Sequence, residues 1–114
     1  MRSSKDRSAL FDIRDNAALA RDFVGSVALD EFKADRRAFY AATRALEIIS
    51  EAARRLSPAL RERHPNLPWR AIMGVGNVLR RNYDDVAEEQ VWRAVLEDLP
   101  ALNRAIAAEL ERNE

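Results

Sequence analysis

The residues of this chain whose types and spacing could do chemistry gather in one stretch, Trp69 to Tyr83, written W-R-A-I-M-G-V-G-N-V-L-R-R-N-Y. Asn77, Arg80, Arg81 and Tyr83 place an amide, two guanidiniums and a phenol at the end of what otherwise reads as a continuous helix. Asn77 and Arg81 are four apart and so stand one above the other on a helix surface. Guanidinium forks bind phosphate or carboxylate, and a tyrosine can stack on a base or donate its hydroxyl. The same residues suit a second role. At a helix C-terminus Arg80 and Arg81 offset the carbonyl end and pair with Asp84 or Asp85. Composition and spacing alone favour that second role.

Gly74 and Gly76 sit inside the same helix, where each costs about 1 kcal/mol relative to alanine. Close approach of another backbone, such as that of a dimer mate, is the simplest reason. Another is that Gly76 stands where a functional side chain once stood. His64, the only histidine, lies in the turn His64-Pro65-Asn66-Leu67-Pro68. It cannot build a histidine-rich metal site alone, and no D-x-D or H-E-x-x-H pattern supplies other ligands. The expected role for His64 is solvent-facing or locally hydrogen-bonded; catalysis would require another element to bring a phosphate or an acid beside it. Glu47 and Glu51, with Arg44, Arg54 and Arg55 at helical spacings, read as surface pairs. An inward Glu51 supporting a site on the adjacent helix is the other reading.

These residues must be positioned by helices. Leu10, Ile13, Ala17, Ala20, Val24 and Val27 recur at spacings of three and four, which predicts a helix from near Ser4 or Asp6 to Gly25, with Phe11, Leu19 and Phe23 widening its apolar face. Val27 to Phe32 reads as a connection, with Asp30 capping a short turn that holds Phe32. Phe39, Ala42, Leu46, Ile49, Ala53 and Leu56 predict the longest helix, about Asp35 to Leu56, roughly 33 Å long at 1.5 Å per residue. Ser57-Pro58 can cap and start a short segment to Arg63. Ile72, Val75 and Leu79 form the packing stripe of the helix after Pro68. Val91, Trp92, Val95, Leu96, Leu99, Leu102, Ile106 and Leu110 complete the pattern, and Pro100 either kinks one long helix or separates two, with Asp98 as a cap if the chain breaks.

A chain of 114 residues is expected to be one domain, 1–114, able to bury a modest core. Three glycines and four prolines in a chain rich in alanine, leucine, arginine and glutamate predict an all-α fold. The absence of cysteine excludes disulfides, thiolate zinc sites and a cysteine nucleophile, and fits a cytoplasmic location. Nineteen basic and nineteen acidic residues leave no net field to attract nucleic acid. The charge is unevenly spread: Arg61 to Arg81 is mostly basic, whereas Asp84 to Asp98 carries six carboxylates against Arg93. No apolar run reaches the roughly 18 residues that cross a bilayer, and M-R-S-S-K-D-R-S lacks the apolar core of a signal peptide.

Three segments carry a family resemblance. A-L-E-I-I-S-E-A-A-R-R-L, from Ala45 to Leu56, resembles the long second helix of the HepT-like family within the HEPN superfamily. L-P-W-R-A-I-M-G-V-G-N-V-L resembles that family's P-W-x-x-I-x-G-M-R-N-x-L, and Y-D-D-V-A-E-E-Q-V-W followed by L-P-A-L resembles its tail. The likeness covers nearly the whole chain from Leu10. It implies an up-and-down bundle of four to five main helices in a symmetric homodimer. It also implies a metal-independent endoribonuclease toxin without a cofactor, neutralised by an MntA-like nucleotidyltransferase antitoxin that can adenylylate a tyrosine.

The family's signature is an arginine, four to six residues, a histidine, and then x-Tyr. Here the arginine position falls on Gly76 and the histidine position on Arg81, and only Tyr83 is retained. Arg81 stays charged at physiological pH and is a poor proton acceptor. The resemblance therefore leaves three readings. One is an RNA-cleaving toxin in which Arg81 and Tyr83 act as degenerate catalytic residues and Asn77 and Arg80 help bind RNA, with Glu51 and Gly76 in support and Tyr83 as the adenylylation site. Another is a non-catalytic relative that binds a nucleotidyltransferase partner or RNA through the same residues. The third is a purely structural helical protein.

Overall fold

The computed structural model describes the backbone of residues 4–25, 27–81 and 85–112, and the side chains of these except within 76–86. Its spine is α3, Arg36–Arg55. Asp35, expected as the opening residue of this helix, caps it, its carboxylate accepting the Ala38 N–H at 3.0 Å. One side of α3 is lined by buried alanines, among them Ala38, Ala42, Ala45, Ala52 and Ala53, with Leu46 and Ile49 between them. Side chains this small let the first helix, α1 (Ser4–Val24), lie close along α3, and α1 answers with buried Ala9, Ala17 and Ala20 beside Leu10 and Ile13.

Helix α1 ends at Gly25, whose φ of 59° is the left-handed conformation glycine tolerates best and whose N–H bonds Arg21 O. Its apolar face is narrower than the sequence suggests. Leu19 and Phe23 remain 47% and 43% exposed, and the Arg7 and Arg14 guanidiniums cover half-buried Phe11. The neighbours of α1, which are α3, the final helix and the turn before it, meet only one side of it.

The connection after Gly25 contains a short helix, α2 (Leu29–Ala34), which seats Phe32 at 0% exposure. Asp30 does not cap it: Ala28 holds the cap position without a side-chain bond, because the helix starts two residues earlier than an Asp30 cap requires. Ser57 caps α4 (Pro58–Glu62) as expected, accepting the Leu60 N–H at 3.3 Å. The same hydroxyl donates to buried Asp6 at 2.8 Å, and the Ser57 N–H donates to the other Asp6 oxygen at 2.7 Å. Asp6 thus fastens the start of α1 to the start of α4. Asp6→Ala is expected to lower stability by about 1–3 kcal/mol, because it strands the Ser57 N–H; a urea midpoint unchanged from wild type would contradict this.

After α5 (Trp69–Arg81) the chain turns into α6 (Asp85–Arg93) and α7 (Leu99–Glu111). Between α6 and α7, residues Ala94–Asp98 form a π-helical turn rather than a break. The Leu99 N–H reaches back five residues to Ala94 O, and the wider turn absorbs the donor missing at Pro100. Asp98 accordingly makes no side-chain cap bond. The extra residue also shifts the register. Val91, Val95, Leu99, Leu102 and Ile106 all point into the core, while Leu96, expected inside, is 41% exposed. Among the described residues the fold is all-α, a helical bundle with no strand, and none of its helices is long and apolar enough to cross a membrane.

Candidate functional site

Helix α5 carries the stretch from Trp69 onward, and its N-terminal half is tied to the bundle by polar bonds. The Trp69 indole N–H is shared between the carbonyls of Arg61 and His64, each at 3.0 Å, which locks the helix start onto the end of α4. One turn on, the Met73 carbonyl accepts from Ser50 Oγ at 2.6 Å and from Arg54 Nε at 3.0 Å. Arg61 Nη1 lies 2.7 Å from Met73 Sδ. These bonds hold α5 to α3 with Ile72, Met73 and Val75 half-buried against the core.

Ser50, fully buried on α3, supports α5 together with Arg54. Its neighbour Glu51 is exposed, in keeping with its reading as a surface residue and not with the inward alternative. On a helix the adjacent position is turned by about 100°, so Ser50 and Glu51 cannot both face α5. A serine at a stripe position between Ile49 and Ala53 was the available sign.

Gly74 has no packing reason among the described residues. A Cβ built there meets no atom of the described residues within 4 Å. It opens onto an apolar groove of about 610 Å³ floored by Leu46 and Ile49 and walled on the far side by Ala94, Leu99 and Leu102. The backbone of α5 stays helical through Arg81. The side chains of Asn77, Arg80 and Arg81, the surroundings of Gly76, and Tyr83 as a whole lie outside what the structure describes.

His64 is not solvent-facing. It is 20% exposed, and its Nε2 lies 2.7 Å from Glu109 Oε2 near the end of α7. Arg63 grips the same carboxylate, Nη2 to Oε1 at 2.6 Å and Nε to Oε2 at 3.2 Å. Glu109 is only 2% exposed. Burial pushes its carboxyl up, but the hydrogen bonds and charges of Arg63 and His64 outweigh that and hold it at about 2, below its ordinary 4.5. An acid has therefore been brought beside His64, at the wrong end of the helix for the motif. His64 precedes the start of α5, Arg81 closes it, and a helix of 13 residues is roughly 20 Å long. His64 cannot replace the histidine missing at position 81 within one chain. Sequence reading did not single out Glu109; its one signal is a carboxylate three residues after Ile106 on the buried stripe of α7.

An all-α bundle whose fifth helix carries a glycine-interrupted, arginine-ending sequence and is anchored to the long helix α3 is consistent with a small helical domain of the HEPN type. The chain belongs to the HepT-like ribonuclease family, whose model, "Ribonuclease HepT-like", matches residues 13–109. It is 34% identical over 105 residues to a protein of Methanocaldococcus jannaschii named "Putative RNase MJ1380", covering 91% of this chain and 96% of that one. It is also 34% identical over 101 residues to the "Probable ribonuclease HepT" of Thermococcus cleftensis, covering 89% and 90%. No solved structure matches the chain.

Proposed function

We propose that this chain is the HepT-like component of a toxin–antitoxin module whose RNA-cleaving chemistry is impaired. In this reading it works in the cytoplasm as a homodimer that binds RNA and a nucleotidyltransferase antitoxin of the MntA type through Asn77, Arg80, Arg81 and Tyr83. The observation that carries it is the segment G-N-V-L-R-R, in which glycine and arginine occupy the positions of the family's arginine and histidine. A general base for a ribose hydroxyl needs a group that gives up and takes a proton near neutrality, which arginine does not. The sole histidine, His64, is bonded to Glu109 beyond the opposite end of α5.

Purified protein incubated with labelled RNA in the absence of metal should leave the substrate intact while retaining it in a binding assay. Specific cleavage that ends in a cyclic phosphate, and that is lost in Arg81→Ala or Tyr83→Ala, would overturn impairment and favour the active toxin. Co-expression with an adjacent nucleotidyltransferase, followed by mass spectrometry, tests Tyr83 as an acceptor of AMP.

Gly74 supports the dimer. With open space over its Cα and an apolar groove beside it among the described residues, the position shows no contact that requires glycine. Gly74→Ala is therefore expected to raise the stability of the isolated chain by about 1 kcal/mol through helix propensity. If a second copy seats there, the same change shifts the dimer towards monomer. Light scattering of wild type that reports only a 13.0 kDa particle at micromolar concentration would remove the dimer.

A further inference from the structure

An aromatic and cationic cluster lies at the end of α3 opposite to Ser50 and Arg54. Tyr40 is 59% exposed, yet its ring is held in place. Arg36 Nη2 donates to its hydroxyl at 2.9 Å, with the guanidinium carbon 5.6 Å from the ring centroid. The Phe39 ring lies 5.6 Å away, tilted by 51°, and is itself edge-on to buried Phe32 at 6.3 Å. Beside Tyr40 is a recess of about 360 Å³ lined by Lys33, Ala34, Arg36, Phe39, Tyr40 and Glu88. A single surface tyrosine needs no explanation. A pre-positioned ring, two cations and a carboxylate around one recess are a recognisable combination.

We propose that this recess is a base-binding subsite for single-stranded RNA, with Tyr40 as the stacking platform. The proposal rests on the RNA-binding reading above. Stacking on an aromatic face is the common way proteins hold an unpaired base, and a ring already fixed by Arg36 and Phe39 loses little freedom on binding. Lys33 and Arg36 supply the positive charge that a phosphodiester needs, and Glu88 offers an acceptor for a base amino group. The volume falls within the roughly 300–1,000 Å³ of small-molecule sites.

The placement also fits. Ser50 and Arg54, near the C-terminal end of α3, bond the early part of α5, and the Arg36–Tyr40 end of α3 meets α6 at Glu88. Helix α6, which contributes Glu88, starts four residues after Arg81. An RNA strand crossing the family's motif segment would have the recess next along its path.

The test measures binding, not cleavage, by fluorescence anisotropy of a labelled single-stranded RNA oligonucleotide of mixed sequence. Tyr40→Ala should weaken binding about fivefold or more, whereas Tyr40→Trp should retain it. Because the ring is mostly exposed, both variants should melt with wild type by circular dichroism. On an oligonucleotide carrying abasic positions, wild type and Tyr40→Ala should bind alike. Equal affinity of wild type and Tyr40→Ala for the intact oligonucleotide overturns the subsite and leaves the RNA reading standing. A Tyr40→Ala penalty that persists on the abasic probe overturns stacking. Wild type that binds no RNA at all overturns both.

Discussion

The double substitution Gly76→Arg with Arg81→His should raise metal-free RNA cleavage by about 100-fold or more over wild type, since positioned acid–base catalysis is worth roughly 10²–10⁴. The two changes rebuild an arginine, four residues and a histidine ahead of Tyr83 on a helix whose backbone already runs unbroken through position 81. Each alone should do much less. Arg81→His supplies a group that ionises near pH 6.5 but leaves the developing phosphate charge without its guanidinium. Gly76→Arg supplies the guanidinium but leaves no proton acceptor. The measurement is a time course on labelled RNA with end-group analysis for a cyclic phosphate. A folded, RNA-binding double variant with no gain would place the impairment somewhere other than these two positions.

Glu109 carries the second large expected effect. Its folded-state pKa of about 2 lies below the ordinary 4.5, so its contribution to stability is fully present above about 4.5 and is lost as pH falls towards 2. A shift of that size corresponds to about 3 kcal/mol, an order-of-magnitude figure for a group 2% exposed. Urea denaturation near neutral pH and at about pH 3 should show wild type losing more stability on acidification than Glu109→Gln. Glu109→Ala should cost about 3 kcal/mol near neutrality, because it leaves Arg63 and His64 without the carboxylate they share. If Glu109→Gln and wild type show the same acid profile, the charge of this cluster does not stabilise the fold. The cluster sits where the α4–α5 turn meets α7, so its loss should also loosen the start of α5.

Much of the bundle was legible because helix periodicity is local. Asp35 and Ser57 announced two helix starts, Gly25 announced an end, and the stripes of α1 and α3 named most of the core. Errors arose where the exterior of a helix depends on its neighbours. Leu19, Phe23 and Leu96 share a stripe or its margin with core residues but face no packed partner. For Leu96 the cause is the π turn before Pro100, which no propensity scale encodes.

The sequence by itself determined the all-α class, the helix order and the departure at Gly76 and Arg81, because these depend on residue identity along the chain. Only the tertiary structure decided that Ser50, not Glu51, supports α5, that Asp6 joins α1 to α4, and that His64 is bound by Glu109 rather than free to act elsewhere. Each of those pairs residues more than twenty positions apart in sequence. A buried hydrogen bond at that separation is set by how helices dock, and a single turn of roughly 100° determines which of two adjacent side chains can make it.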